Sequence, residues 1–189
     1  MQKLILVKHA PPAVVPGVPP EQWALSEKGR FLCVPLADAL RAMEPAVVIS
    51  SEEPKAAETA ERVAGHLGVP CRTAPGLHEH NRSNVPHMRS GEFISLMELF
   101  FRKPDELVLG KETANEVKRR FEHAVRGATS AEESEGNVVI VAHGTVIALF
   151  LDRDGRNSAY QTWRGMGLPS LATLALPDFT LEGRIDRIG

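Results

Sequence analysis

Short apolar runs alternate with segments of helical spacing along this chain. The runs at residues 3–8 and 138–142 are rich in Leu, Ile and Val, a composition that favours strands buried on both faces of a parallel sheet. Weaker apolar runs predict four further strands, at residues 47–49, 70–73, 171–176 and 181–188. Because strand-like and helix-like segments alternate, the pattern predicts an α/β domain with a mostly parallel sheet.

Helix start and stop signals frame four predicted helices. Ser26 is a favourable N-cap, Pro54 suits the first turn of a helix, and Gly68 suits the residue after its end. Pro35 lies inside the first of these helices and should kink it, because proline removes one backbone hydrogen bond. Apolar residues at helical spacing predict helices after Ser26, from Pro54 to Gly68, over residues 114–128, and from Gly144.

Two stretches interrupt this alternation. Five prolines between residues 11 and 20 exclude a helix and a central strand, so this loop is expected to cross the mouth of a pocket as a rigid segment. Residues 78–110 are irregular and polar at first and then contain an amphipathic piece near residues 93–101. We expect this region to be an insertion that covers the sheet edge and selects the substrate.

Composition narrows the class of protein. The chain has 189 residues, 43% of them hydrophobic and 24% charged, with a formal net charge of −2; these values are ordinary for one globular domain and indicate neither a nucleic-acid nor a membrane partner. No apolar run has the length of a signal peptide or a membrane span, so a cytoplasmic location is expected. Cys33 and Cys71 are the only cysteines; they belong to no paired motif, so free thiols are favoured over a disulfide.

Two histidines follow the two most apolar runs. His9 ends the first run and His143 ends the run at residues 138–142. Ligands of parallel sheets bind beyond the carboxyl ends of the strands, so the two imidazoles are expected to face one another across a pocket. A neutral imidazole is a good nucleophile toward phosphorus, and His9 is therefore a candidate to form a phosphohistidine.

Cations and helix ends lie close to these histidines in the sequence. Lys8 adjoins His9, and Lys55 lies in the first turn of a helix, where a cation is unfavourable for the helix dipole unless an anion binds nearby. Gly144 and Thr145 begin another helix, whose free N–H groups suit an anion. Charge that develops on a transferring phosphoryl group needs such partners, so these residues are predicted to bind substrate.

The segment His78-Glu79-His80 supports two interpretations. Glu79 follows the third predicted strand and is a candidate to protonate a leaving alkoxide. With His87 nearby, the same segment also suggests a zinc site. It lacks the i, i+4 histidine spacing of zinc proteases and any cysteine pair, so a phosphate site is preferred.

The order of these motifs resembles the histidine phosphatases, the phosphoglycerate mutase-like superfamily. That family has Arg-His-Gly after a first strand, then a Trp and a Leu-Thr/Ser-x-x-Gly helix start, and a Ser-Ser segment with Arg-Ala and Thr-Ala. It continues with a Leu-x-Glu acid, a Gly-Glu-Ser helix and a late Ser/Ala-His-Gly. The corresponding segments here are KHA at 8–10, LSEKG at 25–29, SSEEPKAAETA at 50–60, LHE at 77–79, GKETANEVKRRF at 110–121 and AHG at 142–144. The resemblance covers nearly the whole chain and is thinnest between residues 78 and 106.

The resemblance implies a fold and a mechanism. The fold would be a three-layer α/β/α sandwich with a mostly parallel central sheet, in a single domain over residues 1–189. The activity would be hydrolysis of a small phosphomonoester, with His9 as nucleophile and Glu79 as the acid that later activates water. Lys8, Lys55 and His143 would hold the phosphoryl group. Neither a metal nor an organic cofactor is implied.

Departures from the family pattern leave an alternative open. Lys8 and Lys55 stand where the family has arginines, so the planar bidentate fork is lost. Arg82 is the preferred compensating cation, ahead of Arg89 and Lys3. The alternative is a phosphatase-like binding or regulatory module with weakened turnover; a phosphoglycerate mutase is less favoured, because the chain is short for one. The sequence leaves the oligomeric state open, and a homodimer is compatible with it.

Overall fold

A computed structural model of the chain describes residues 2–86, 88–131, 136–153 and 158–189. Its strands are β1 (Lys3–Lys8), β2 (Pro45–Ser50), β3 (Cys71–Thr73), β4 (Asn137–Ala142), β5 (Ser170–Ala175) and β6 (Thr180–Ile185). Its helices are α1 (Glu27–Arg41), α2 (Pro54–Leu67), α3 (Ser90–Arg102), α4 (Ala114–Ser130), α5 (Gly144–Leu151) and α6 (Ala159–Gly165), with one 3-10 turn at Pro20–Gln22.

The six described strands form one mixed sheet in the order β3-β2-β4-β1-β5-β6. The first four of these pair in parallel, whereas β5 runs antiparallel to β1, and β6 antiparallel to β5. The prediction of a mostly parallel sheet is therefore confirmed. The last strand is shorter than predicted: it ends at Ile185, and the Ile188 N–H instead bonds the Pro169 carbonyl at 3.0 Å.

Helices cover both faces of the sheet. Successive residues of a strand point to opposite faces, and in β1 Leu4 and Leu6 pack toward α3, α4, α5 and α6. Ile5 and Val7 pack toward α1 and α2. All four of these side chains are fully buried. The two separate cores give the three-layer α/β/α sandwich that the resemblance implied.

Local signals explain most helix boundaries. The Ser26 hydroxyl accepts the Gly29 N–H at 3.0 Å, so Ser26 is the N-cap of α1 as predicted. The helix continues through Pro35 to Arg41. Gly68, with φ of 73°, ends α2 in the left-handed conformation that glycine adopts without strain.

Two helices of the second layer differ in how well the sequence indicated them. The predicted amphipathic piece near residues 93–101 lies within α3, which buries Met97 and Phe100. The pattern gave no sign of α6, which has seven residues and buries only Ala159 and Thr162. So short a helix offers two turns of periodicity, which is too little for a pattern to stand out.

The proline-rich loop is closed at its base like a hairpin. The Ser26 N–H and hydroxyl both donate to the Pro11 carbonyl, each at 3.0 Å. Beside them the Ala13 N–H donates to the Ala24 carbonyl at 2.9 Å. A Cβ at Gly29 would collide with the Pro11 carbonyl oxygen, so only glycine permits α1 to approach this base. The base is therefore fixed, while the tip around Val14 is exposed.

Two observations bear on the environment of the protein. No helix in the described ranges combines the length and apolar character that crossing a bilayer requires. Both thiols are free, with Cys33 buried and Cys71 exposed. The preference for free thiols over a disulfide is therefore confirmed.

Candidate active site

The carboxyl ends of β1 and β4 bring His9 and His143 together. The two strands pair in parallel, and the His9 N–H extends the ladder by bonding the Ala142 carbonyl at 3.1 Å. The imidazole centroids lie 5.2 Å apart with an interplanar angle of 62°. His9 is 6% exposed and His143 is fully buried. The buried sheet thus sets the spacing of the two rings.

The hydrogen bond of His9 fixes which ring nitrogen is free. Its Nδ1 lies 2.8 Å from the Ala10 carbonyl oxygen. A carbonyl only accepts, so Nδ1 carries the hydrogen and Nε2 keeps its lone pair. Burial, aided by the neighbouring His143, Lys55 and Lys8, lowers the pKa of His9 to about 3. The imidazole is therefore neutral at physiological pH, which is the nucleophilic form.

His143 has a different environment. Its Nε2 lies 2.9 Å from the Ser51 hydroxyl and 3.5 Å from Glu53 Oε1. Nδ1 is buried and has no hydrogen-bond partner among the described residues. Burial lowers the pKa of His143 to about 3, with Lys55 and Arg82 acting in the same direction and Glu79 opposing them. This imidazole, too, is neutral in the folded protein.

A cavity of about 430 Å³ opens above the two histidines. The loop base, the start of α2 and the loop after β3 contribute to its wall. The residues that line it are Pro12, Pro20, Glu21, Trp23, Glu53, Lys55, residues 78–83 and the two histidines. Of the predicted site residues, Lys55, Glu79 and Arg82 thus share one cavity with His9 and His143.

Lys55 is paired with a carboxylate that the sequence analysis did not single out. Its ammonium donates to Glu53 Oε2 at 2.5 Å and to the Pro20 carbonyl at 2.7 Å. Glu53 Oε1 in turn accepts the Glu79 N–H at 2.7 Å. The carboxylate therefore offsets the charge of Lys55 inside the cavity. An acid two residues before a lysine, directly before the proline that begins a helix, was the available signal.

Glu79 is held as a carboxylate. Oε1 accepts the His80 N–H at 2.8 Å, and Oε2 accepts the Thr145 N–H at 3.1 Å. Burial on its own would raise its pKa, but the charge of Arg82 and the two backbone N–H groups outweigh burial and lower the pKa to about 2. The predicted acid is therefore ionised in the resting site.

Three predicted substrate-binding residues lie outside the cavity wall. Lys8 shares a face of β1 with Leu4 and Leu6, so its side chain runs toward the second layer and its ammonium donates to the Met166 carbonyl at 2.9 Å. Gly144 lies against the Lys8 side chain. The Thr145 N–H is occupied by Glu79. The start of α5 thus binds an anion of the protein itself.

The three candidate compensating cations lie in different parts of the fold. Arg82 lines the cavity, and its guanidinium lies 5.2 Å from the centroid of the Phe93 ring. Lys3 is at the opposite end of β1 and pairs with Glu182 at 2.9 Å. Arg89 precedes α3 and is exposed away from the cavity wall. Arg82 is therefore the one of these three that can reach a bound anion.

No cluster of three His, Cys, Asp or Glu side chains within the described ranges is arranged to hold a metal ion. His78 and His80 both line the cavity. Burial lowers the pKa of each. His87, the third residue of the zinc interpretation, lies outside the described residues.

Comparison with known proteins decides the family. A family model described as the histidine phosphatase superfamily (branch 1) matches residues 18–180. The chain belongs to the histidine phosphatase superfamily. The match includes Glu79 and His143 and begins after His9. No curated protein matches the chain.

Solved structures share the fold of this chain at low identity. A mycobacterial glucosyl-3-phosphoglycerate phosphatase is 20% identical with a TM-score of 0.73, covering 100% of this chain and 98% of its own. YhfR of Bacillus stearothermophilus is 23% identical with a TM-score of 0.74, covering 96% and 95%. A phosphoserine phosphatase of Entamoeba histolytica is 16% identical with a TM-score of 0.75, covering 97% and 96%.

A partly buried ion pair between Arg120 and Glu112 positions the loop that carries Glu79. Arg120 Nη1 donates to the carbonyls of Gly76 and His78, both at 2.9 Å, and Nη2 donates to the Glu79 carbonyl at 3.3 Å. Glu112 holds the guanidinium at 2.8 Å. The sequence analysis missed this pair, because Arg120 lies more than forty residues from the loop carbonyls that it binds.

Trp23 forms part of the cavity wall. Its indole N–H donates to the Val18 carbonyl at 2.9 Å, which fixes the ring within the proline-rich loop. Trp163 packs among Phe93, Phe101 and Tyr160. The two tryptophans therefore differ: one faces the cavity and the other belongs to an aromatic cluster.

Proposed function

We propose that this histidine phosphatase hydrolyses a small phosphomonoester through a phosphohistidine on His9. The observation that carries the proposal is the state of His9: its Nδ1–H is bonded to the Ala10 carbonyl, so Nε2 presents a lone pair beside His143 in the cavity. A cavity of about 430 Å³ suits a small substrate. The fold is shared with phosphatases whose substrates are small phosphate esters.

In the first step, His9 Nε2 attacks phosphorus and the P–O bond to the leaving group breaks. The leaving oxygen needs a proton, and Glu79 starts without one. We therefore assign the proton to the substrate: a phosphate monoester monoanion brings one, Glu79 accepts it, and Glu79 passes it to the departing oxygen. The negative charge of a bound phosphate raises the proton affinity of Glu79, which favours this transfer.

In the second step, water attacks phosphorus and the P–N bond breaks. Glu79, again a carboxylate, takes the proton from this water and gives it to the phosphate product, so that Glu79 is ionised again. The bonding electrons return to Nε2, and because Nδ1 has kept its hydrogen on the Ala10 carbonyl, neutral His9 is restored. His9 therefore keeps the same ring tautomer throughout the cycle.

Lys55, Arg82 and His143 are the proposed partners of the phosphoryl oxygens, since all three line the cavity. Lys55 must exchange its bond to Glu53 for a bond to phosphate. Lys8 is left out of this set, because its ammonium would first have to leave the Met166 carbonyl. The proposed partner is thus a small phosphorylated molecule, with no nucleic acid or membrane involved. A cytoplasmic location suits the free thiols, and a homodimer is compatible with this assignment.

Hydrolysis of p-nitrophenyl phosphate in the presence of a chelator tests the function. We expect turnover that survives chelation, and a loss on the order of 10³-fold or more in His9→Ala, because the nucleophile takes part in every turnover. His66→Ala changes an exposed histidine of α2 and is the matched control. Turnover that survives in His9→Ala would contradict the assignment, and turnover that the chelator removes would revive the metal interpretation.

The second candidate function is a phosphate-ester-binding or regulatory module. The observation that favours it is Glu53, whose carboxylate already occupies Lys55 inside the cavity. Tight binding of phosphate esters without phosphate release by the wild-type protein would support this function over the first.

A further inference from the structure

The wall of the active-site cavity contains more carboxylates than permanently charged cations. Its carboxylates are Glu21, Glu53 and Glu79, whereas its permanent cations are Lys55 and Arg82. The four histidines that line it all have a lowered pKa, mainly through burial, and are neutral at pH 7. A phosphate ester alone would add further negative charge to a cavity that already has a slight excess of it. The charge balance points to a substrate that also brings a positive charge.

The mouth of the cavity contains groups that recognise a cation. Glu21 lies in the 3-10 turn Pro20–Gln22, lines the cavity and makes no hydrogen bond or ion pair with any described residue. Trp23 follows this turn and presents its ring to the same cavity. An unpaired carboxylate and an indole ring that line one cavity are groups that bind an alkylammonium.

The floor of the cavity still requires an anion. His143 is fully buried and lines the cavity, and its Nδ1 has no partner among the described residues. His9 Nε2 faces the same space with its lone pair. The cavity therefore has two unlike ends, a phosphate end at the histidines and a cation end at Glu21.

The two ends are joined by one contact. The Lys55 ammonium donates to the carbonyl of Pro20, the residue before Glu21, at 2.7 Å. A residue at the phosphate end is thus fixed directly to the turn that carries the cation end. A substrate that reaches both needs only a short chain between its charges.

We propose that the substrate is a short zwitterionic phosphate ester, whose ammonium group is received by Glu21 and Trp23 while its phosphate lies at His9 and His143. This inference rests on the proposed phosphatase function and narrows its substrate class. Glu53, occupied by Lys55, becomes a second carboxylate for the ammonium group when Lys55 turns to the phosphate.

The test compares 2-aminoethyl phosphate with n-propyl phosphate, two esters of the same length that differ in an ammonium against a methyl group. We expect the wild-type kcat/KM to be roughly tenfold higher for 2-aminoethyl phosphate, the effect of one cation–π contact together with one ion pair. Glu21→Gln should lower this ratio to about threefold, because the ion pair is lost while the cation–π contact with Trp23 remains. Glu52→Gln removes the same charge from an exposed neighbour that does not line the cavity, and should keep the wild-type ratio.

The outcomes separate this inference from the proposed function. Release of phosphate from both esters at equal kcat/KM overturns the zwitterionic substrate and leaves the phosphatase standing. If neither ester releases phosphate, the phosphatase function fails, and the ratio of the two dissociation constants, measured by calorimetry on the same three proteins, decides the inference by the same criterion. A ratio that is lowered equally in Glu21→Gln and Glu52→Gln also overturns it, because a general change in charge would then explain the preference.

Discussion

The floor and the wall of the active site are held by different forces. The floor consists of His9 and His143, each placed by the end of a strand whose apolar side chains are fully buried. The wall contains Glu79, whose loop is held by the Arg120 guanidinium on three carbonyls. Apolar burial thus positions the nucleophile, whereas polar bonds between distant residues position the acid. Single substitutions that remove a charge from the wall should therefore impair the acid Glu79 and leave His9 and His143 in place.

The largest effect is expected from Glu79→Gln. Because a glutamine cannot transfer the proton, the first step should slow by about 10² to 10⁴-fold for an alkyl phosphate, whose leaving oxygen needs protonation. The loss should be much smaller for p-nitrophenyl phosphate, whose leaving oxygen does not. Rapid-mixing measurement of the first step with both substrates checks this. Equal losses would remove Glu79 from the acid role.

Arg120→Ala should reproduce this pattern from outside the cavity. Loss of three bonds to the loop displaces Glu79, and a displacement of about 1 Å can reduce the rate about 10²-fold. The reduction should again be greater for the alkyl ester, and it should fall on kcat rather than KM. Arg119→Ala, an exposed neighbour on α4, is the matched control. A loss that is the same for both esters would mean that Arg120 stabilises the fold without positioning Glu79.

Acidification should lower the free energy of unfolding, because His9 and His143 form the floor and are neutral in the folded protein. The pKa values of His9 and His143 lie near 3 in the folded protein and near 6.5 when unfolded. Between these values the unfolded chain binds more protons, so stability is present above pH 6.5 and is lost as the pH falls. From pH 7 to pH 5 the free energy of unfolding should drop on the order of 2 kcal/mol per histidine.

Urea unfolding of the wild type and of His9→Gln at both pH values measures this loss. The variant should lose less stability than the wild type, because glutamine does not titrate. His66→Gln, on the exposed face of α2, should behave as the wild type. Equal losses in wild type and His9→Gln would show that His9 is not held neutral by burial.

The smallest effect concerns the two lysines. Lys55 lines the cavity, whereas Lys8 bonds Met166. Lys55→Ala should weaken inhibition by inorganic phosphate by about tenfold, near the lower end for a hydrogen bond to a charged group, because Glu53 competes for this ammonium. Lys8→Ala should leave the inhibition constant within about twofold. A larger loss in Lys8→Ala would mean that Lys8 leaves Met166 when phosphate binds.

The sequence predicted the floor more fully than the wall. The strands before His9 and His143 are continuous apolar runs, and parallel pairing necessarily brings their ends together. The alternation of side chains that buries Leu6 also sets the direction of the Lys8 side chain, although Lys8 is adjacent to His9 in the sequence. The pattern placed the backbone correctly but did not indicate that the ammonium bonds the Met166 carbonyl.

The wall could not be predicted in the same way. The bonds from Arg120 to its loop and from Glu79 to the start of α5 join residues far apart in the sequence. Polar contacts of this kind have no periodicity, so no local pattern reveals them. The pairing of Glu53 with Lys55 is the exception, since only Pro54 separates them, yet its consequence depends on a cavity that only the fold creates.

The closed base of the proline-rich loop has a practical consequence. Because Pro11, Ala13 and Ser26 bind the two sides together, the length of chain beyond this base does not set the position of His9. Val14 and Val15 are 70% and 44% exposed, and lengthening a closed loop costs only about 0.6 kcal/mol for each doubling of its length. The tip therefore offers a place to graft a peptide, label or docking sequence at the entrance of the cavity without moving the nucleophile.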